Sequence, residues 1–577
     1  MTATPYISAA LIFISIGSVG QDLEKLGKKD MMKVSGGINY SNIFYNAQGI
    51  PNRRQPYTYF LNGNISANIM GISLPYTFSF SNNQLSYTQP VNIQSLNPTY
   101  KWVKGYLGIT AMNFSSYTLN NHLFSGAGVE LTPKGFKCAV LYGRFKKALE
   151  YDFASGSDIN MSYKRIGWGT MAQYEKNGQS IKITYFAAKD DASSLVFIPV
   201  ESSIKPMENT ALSVGAKTTV FKKLTFEAEY AISALTLNTR VSPDFQSAPK
   251  NKLPGIFTPN STSAFYNAYK SSLGYRSKNY GISFNYERID PGYKTLGAYY
   301  FNNDFENFTI APSITLIKGR LNISANTGLQ RNNLDNAKLN STRRWVGALN
   351  MSYNINKSWN INSSFSNFTT FTRQKPQTDP FYKNTLDTFN VYQVSQSAML
   401  SFIYSFGKSD FKQSVSVTGN YQISGQRQGA FSDPGAVGNT ALIAAPATVR
   451  NGNCSYTILF QPSKTSVTIA FNINQSSMQE FDAVYIGPSL NFARAIYKNL
   501  VRLSLGSTYN KGYTNAIKTN DVFNHRCSIT YAPKFQNEKV GKMGFSLNAT
   551  YLQNLQTGQS TRSFNEFTGT VGLNYNF

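Results

Sequence analysis

The sequence predicts an all-β protein, a single closed antiparallel barrel of about 24 membrane-spanning strands, within roughly 22–26. Three observations carry that expectation. Only 15% of the 577 residues are charged while 14% are aromatic, with 40 Phe and 37 Tyr. A soluble chain of this length carries roughly a quarter charged residues and divides into several domains. From Lys33 onward, segments of about ten residues alternate apolar and polar side chains, so each would present one greasy and one wet face. The wet faces hold Ser, Thr, Asn and Gly in place of the Lys and Glu of a soluble sheet.

The chain opens on an apolar run, Ile7 to Val19, too short for a spanning helix of about 20 residues. Ser18-Val19-Gly20 ends it with small residues, so residues 1–20 read as a secretory signal cleaved after Gly20, although no Lys or Arg precedes the run. Residues 21–32 form a short charged periplasmic lead-in, and residues 33–577 the barrel. So short a lead-in is expected to leave no room for a globular plug or for periplasmic assembly repeats.

Four segments illustrate the alternation. Ile72, Leu74, Tyr76, Phe78 and Phe80 interleave with Ser73, Pro75, Thr77, Ser79 and Ser81. Leu321, Ile323, Ala325, Thr327 and Leu329 interleave with Asn322, Ser324, Asn326, Gly328 and Gln330. Val467–Ile473 and Met543–Tyr551 repeat the pattern. A β-sandwich also alternates, but its strands are nearer five or six residues and its exposed faces are charged. In lipid every backbone group must be paired internally, which leaves closure as the β solution.

Short turns recur between these segments, among them Thr132–Gly135, Lys176–Gly178 and Lys318–Arg320, and longer connections such as 190–209, 237–263, 374–388 and 427–450 alternate with them. Short periplasmic turns, long outer loops and two periplasmic termini require an even strand number. Counting every candidate gives roughly 26 strands and puts several long connections on the wrong rim. Trp102–Phe114 and Tyr293–Phe301 alternate poorly, and setting both aside restores parity at about 24.

A barrel of that width exceeds the 16–18-stranded porins that enclose a channel. Residues 83–121 and 290–307 are therefore expected to fold into the lumen, placing Trp102, Lys104, Tyr106, Tyr299, Tyr300 and Asp304 at a constriction. On the wet face, Arg165, Lys182 and Arg344 accompany Glu287. Lys217 lies across the Lys222-Lys223 turn from Glu227, with Glu229 beside it, which predicts a lumenal ion pair and modest ion selectivity.

The net charge of +26, from 55 Lys and Arg against 29 Asp and Glu, forms no patch of a nucleic-acid module. It gathers in the turns: Lys134, Lys176, Lys222, Lys223, Lys278, Lys318, Arg320, Lys357, Lys408, Lys464 and Lys498. A basic periplasmic rim beside anionic headgroups is expected, each cation contributing about 1 kcal/mol. No catalytic constellation, metal site or cofactor motif appears. Cys138, Cys454 and Cys527 fall on apolar faces, and His122 and His525 lack a carboxylate or Ser at a diagnostic spacing.

Thr570, Gly572, Tyr575 and Phe577 stand as polar-x-Gly-x-x-aromatic-x-aromatic at the end of the sequence. This resembles the C-terminal assembly signal of bacterial outer-membrane proteins, and the Tyr- and Asn-rich strands resemble Bacteroidota outer-membrane barrels. The resemblance covers architecture and identifies no subfamily. It implies an outer-membrane location, outer-membrane lipid as surroundings and the barrel-assembly machinery as a partner in biogenesis. The expected function is a passive or gated channel for a solute or exported polymer. The alternative is a non-conducting barrel serving as scaffold or partner subunit of a surface or secretion complex.

Overall fold

A computed structural model describes residues 32–82, 92–153, 161–200, 202, 204–243, 247–299, 302–337, 343–368, 370–372, 391–427, 447–478, 481–533, 541–557 and 563–577. The signal assignment, nearly all of the lead-in and Tyr300 lie outside them. Twenty-eight strand segments form one sheet, which closes where the first strand, Met32–Gln48, pairs antiparallel with the last, Phe564–Asn576. The Gly36 and Phe577 backbones exchange two hydrogen bonds of 3.0 Å at that seam. Closure removes the free edges that lipid would leave unpaired.

Two staves of the wall are broken. Ile93–Leu96 and Thr99–Tyr100 together bridge Ile72–Ser81 and Val103–Asn113. Trp359–Ser366 and Thr370–Thr372 both pair with Val391–Gly407. The barrel therefore has 26 staves. The expectation of 24 fails at one of the two segments set aside. Val103–Asn113 is a wall strand bonded on both sides, whereas Tyr293 to Tyr299 form no strand. The broken stave before Val103 supplies the partner that keeps parity even.

Of the segment 83–121 expected in the lumen, most of the described residues are wall, and residues 114–119 turn inward. Val103–Asn113 misleads the eye because both its faces are apolar. Val103, Leu107 and Ile109 face lipid, while Tyr106 and Met112 face inward and join a buried cluster.

Elsewhere the two faces separate cleanly. Along Gln179–Asp190, Ile181 and Ile183 point outward, 59% and 48% exposed, and Lys182, Thr184 and Phe186 point inward. Cys138, Cys454 and Cys527 are free thiols with outward register. Two-residue turns such as Asn177-Gly178 have both φ values positive (52° and 79°), the geometry that matches strand twist in a tight hairpin. The basic turn residues from Lys134 to Lys498 lie on the rim that carries Met32 and Phe577. The opposite rim carries the connections 49–56, 114–119, 191–207, 237–262 and 290–304. In one of them, the Ser193 hydroxyl and amide donate to Asp191, holding its carboxyl below the usual range. In another, Leu253 and Phe257 fold back over the outward side of Ile232 and Ala234.

Candidate lumenal constriction

Two of these connections turn inward and meet. Residues 114–119 leave Val103–Asn113, and residues 290–304 link Tyr280–Ile289 to Phe305–Leu316. Leu119 and Gly297 form a parallel β-bridge, with the Asn120 amide donating to the Gly297 carbonyl at 2.9 Å. The Thr295 hydroxyl donates to the Thr118 carbonyl (2.6 Å) and the Tyr293 hydroxyl to the Tyr117 carbonyl (2.8 Å).

Local sequence explains both shapes. In the first segment the Ser115 hydroxyl accepts the Tyr117 amide, and the Phe114 and Ser115 amides converge on the Leu119 carbonyl, closing a tight loop. In the second, Gly297 permits close approach: a Cβ there would sit 2.5 Å from the Thr118 carbonyl and 2.9 Å from the Phe186 ring. The wall beneath is built to receive them. Ala211, Ala231 and Ala268 face inward and are fully buried, leaving space that larger side chains would fill.

Polar groups fasten the loops to the wall. Thr118, Thr184 and Ser213 link hydroxyl to hydroxyl at 2.9 and 2.8 Å. The Ser213 hydroxyl then donates to Glu229 (2.8 Å), which also accepts from Ser115 and so closes a circuit. The Tyr117 hydroxyl donates to Glu287 at 2.7 Å, and Lys182 Nζ to the Phe114 carbonyl at 3.2 Å. Asn209, fully buried, donates its amide to Ser233 (2.7 Å) and to the Ala234 carbonyl (2.9 Å), while its oxygen accepts the Leu296 amide (3.0 Å). An apolar layer lies toward the strands on the amino-terminal side, where Phe114, Leu119, Phe124, Leu141, Phe145, Phe186 and Leu296 pack together.

The residues expected at the constriction are dispersed. Trp102 lies on the turn at the rim of the termini, about half exposed, far along the strand from residues 114–119. Lys104 faces inward near that rim, its ammonium 4.7 Å from the Tyr106 ring centroid, with Glu130 as its register partner. Tyr299 stacks on His122 at 4.0 Å and its hydroxyl accepts the Leu123 amide at 3.0 Å. Asp304 is buried with φ 59° and accepts the Leu334 amide at 2.9 Å, fixing the exit of the second segment. Lys217 and Glu227 are register partners on the inner face, but no ion pair joins them among the described residues. Glu229 alone of that trio binds an inward segment. Sequence reasoning missed Ser115, Tyr117, Thr118 and Asn209, whose partners lie on distant strands.

At the seam, Thr570 and Gly572 face inward while Tyr575 and Phe577 stack at 5.5 Å. Among the described residues, no group of three or more His, Cys, Asp or Glu is placed to hold a metal ion.

The wall further along the chain contrasts with this packed side. Ser324, Asn350, Ser352, Asn362 and Ser364 face inward and line a recess of about 530 Å³ that runs toward Lys278 at the rim of the termini. Inward positions farther on, such as Asn453, Asn472 and Asn548, are again amides.

No protein-family model matches the chain, and no curated protein is similar to it. Solved structures that resemble it include the P pilus usher PapC translocation pore, at 10% identity over 94% of this chain and 99% of that one, TM-score 0.37. The FrpB iron transporter of Neisseria meningitidis matches at 9% identity over 96% and 82%, TM-score 0.35. OccAB2 of Acinetobacter baumannii matches at 10% over 69% and 98%, TM-score 0.27. At these scores the matches specify neither strand number nor activity.

Proposed function

We propose that the protein is a bacterial outer-membrane channel whose lumen is narrowed from one side by residues 114–119 and 290–299. A solute or exported polymer would pass along the amide- and hydroxyl-lined side that faces them. The observation that carries this reading is the asymmetry of the inner face. One part is buried under two hydrogen-bonded segments, and another is an open recess of about 530 Å³ with Ser and Asn at its inward positions. A barrel of 26 staves is wide enough to need such narrowing. The outward belt of Ile, Leu, Phe and Tyr requires a hydrocarbon surrounding, and an inner face of Asn, Ser and Thr suits water and neutral polar cargo. The basic rim from Lys134 to Lys498 fits anionic headgroups of the inner leaflet. The strand composition and the Thr570–Phe577 pattern support a Bacteroidota-type barrel delivered by a secretory signal and inserted by the barrel-assembly machinery.

Planar-bilayer recording of the purified protein tests the proposal. Stable conductance steps with weak ion preference are expected. Absence of conductance, together with a stoichiometric copurifying protein, would replace the channel by the scaffold of a surface or secretion complex.

A further inference from the structure

A second feature lies on the outward face, at the rim of the long connections. The registers of four consecutive strands align Arg288, Glu306, Arg331 and Arg343 in one row across the wall. Two residues nearer the membrane centre the same strands align Tyr286, Phe308, Leu329 and Trp345. Phe308 and Trp345 are 56% and 63% exposed, which fixes this face as the lipid-facing one. A row of cations directly above a row of aromatics is the profile of a headgroup boundary.

The charges within the row are unequal. The Glu306 carboxylate, buried at its side chain, accepts from the Tyr286 hydroxyl (2.9 Å), pairs with Arg331, and lies 3.7 Å from Arg288. Arg288 also lies 3.7 Å from Asp290. Arg331 remains 57% exposed, and Arg343 is exposed with no ion pair among the described residues. Arg331 and Arg343 are direct register partners, and like charges placed opposite each other destabilise a sheet. Two other outward cations at this rim have a carboxylate as ion-pair partner: Lys189 with Glu208 at 2.9 Å and Lys518 with Asp521 at 2.7 Å. An anion at the Arg331–Arg343 pair would relieve that repulsion, and two guanidinium forks suit a phosphate.

We propose that Arg331 and Arg343 bind the phosphate of an outer-leaflet lipid headgroup, whose acyl chains lie along Phe308, Leu329 and Trp345. Glu306 holds the Arg331 guanidinium in place and keeps Arg288 from competing for it. This inference rests on the lipid-facing orientation of the wall and needs no conduction.

Native mass spectrometry of the full-length protein tests it, using dioleoyl phosphatidic acid and dioleoyl phosphatidylcholine in equal amounts. The unmodified protein should retain phosphatidic acid in preference. The R331Q/R343Q variant should lose that preference by about tenfold, the loss expected for a charge-assisted contact. Arg343→Gln alone removes no ion pair of the described structure, so it serves if the double variant does not fold, and it should lower retention in the same direction. Heat-modifiable migration on gels confirms folding in each case. Equal retention of both lipids by the unmodified protein would overturn the proposal, as would equal retention by folded variants. Displacement of the lipid by millimolar inorganic phosphate, with no dependence on acyl chains, would assign a free-anion site and overturn it as well.

Discussion

Leu119 and Gly297 pair in a parallel bridge inside an otherwise antiparallel barrel, joining two connections that start from opposite sides of a buried sector of the wall. The bridge makes the two segments one body. Each makes bonds that the other lacks: the Ser115 and Tyr117 hydroxyls donate to Glu229 and Glu287, while the Leu296 backbone amide donates to Asn209. Loss of either should release both.

Gly297→Val places a branched side chain where a single Cβ already lies 2.5 Å from the Thr118 carbonyl. The bridge should open at a cost of about 1–3 kcal/mol. Limited proteolysis of the folded protein should show new cleavage within 290–299, with the wall still heat-modifiable.

Asn209→Ala removes the acceptor of the Leu296 amide and the donor to Ser233 and Ala234 together. Each orphaned buried group should cost about 1–3 kcal/mol. Hydrogen exchange at Leu296 should rise well above that at Gly167, an amide on the strand Arg165–Lys176.

Asp190 receives the Arg165 guanidinium in two bonds of 2.8 and 3.0 Å and also the Met207 amide at 3.0 Å. Both ionic side chains are buried. Asp190→Ala should lower stability by about 3–5 kcal/mol, because it breaks a buried ion pair and takes the carboxylate acceptor from the Met207 amide. Urea midpoints in detergent measure the difference.

Phe577 contributes two backbone bonds to Gly36 at the closing seam and stacks on Tyr575. Removing Phe577 should reduce the membrane-inserted, heat-modifiable fraction several-fold in cells, while Phe577→Tyr should retain it. Equal insertion of all three forms would exclude an assembly role for this residue.

Much of the barrel is legible because alternation is a local property. Leu321–Leu329 and Met543–Tyr551 show it residue by residue, and the structure places them as wall strands with that phase. Strand counting went astray where the inner face is apolar. Met112 lies under the inward segments, so Val103–Asn113 reads as greasy on both sides. The stave before it is broken into four and two residues, too short to show a period. Residues 290–299 share that apolar character because Tyr293 and Leu296 are buried against the wall, without forming a strand. The fastening of the constriction was not legible at all. Asn209 and Ser115 resemble any other polar residue of the chain until the fold brings Leu296 and Glu229 to them.

Narrowing of a conducting lumen by residues 290–299, as proposed above, can be tested by removing the whole connection 290–304. Replacing it by a short Gly-Ser turn between Ile289 and Phe305 spares every wall strand, unlike deletion across 83–121, which would remove two staves. Single-channel conductance of this variant is the most direct measurement. Steps clearly larger and less rectified than those of the unmodified protein are expected. Steps of unchanged size in a folded variant, or no conductance in either form, would contradict the proposal.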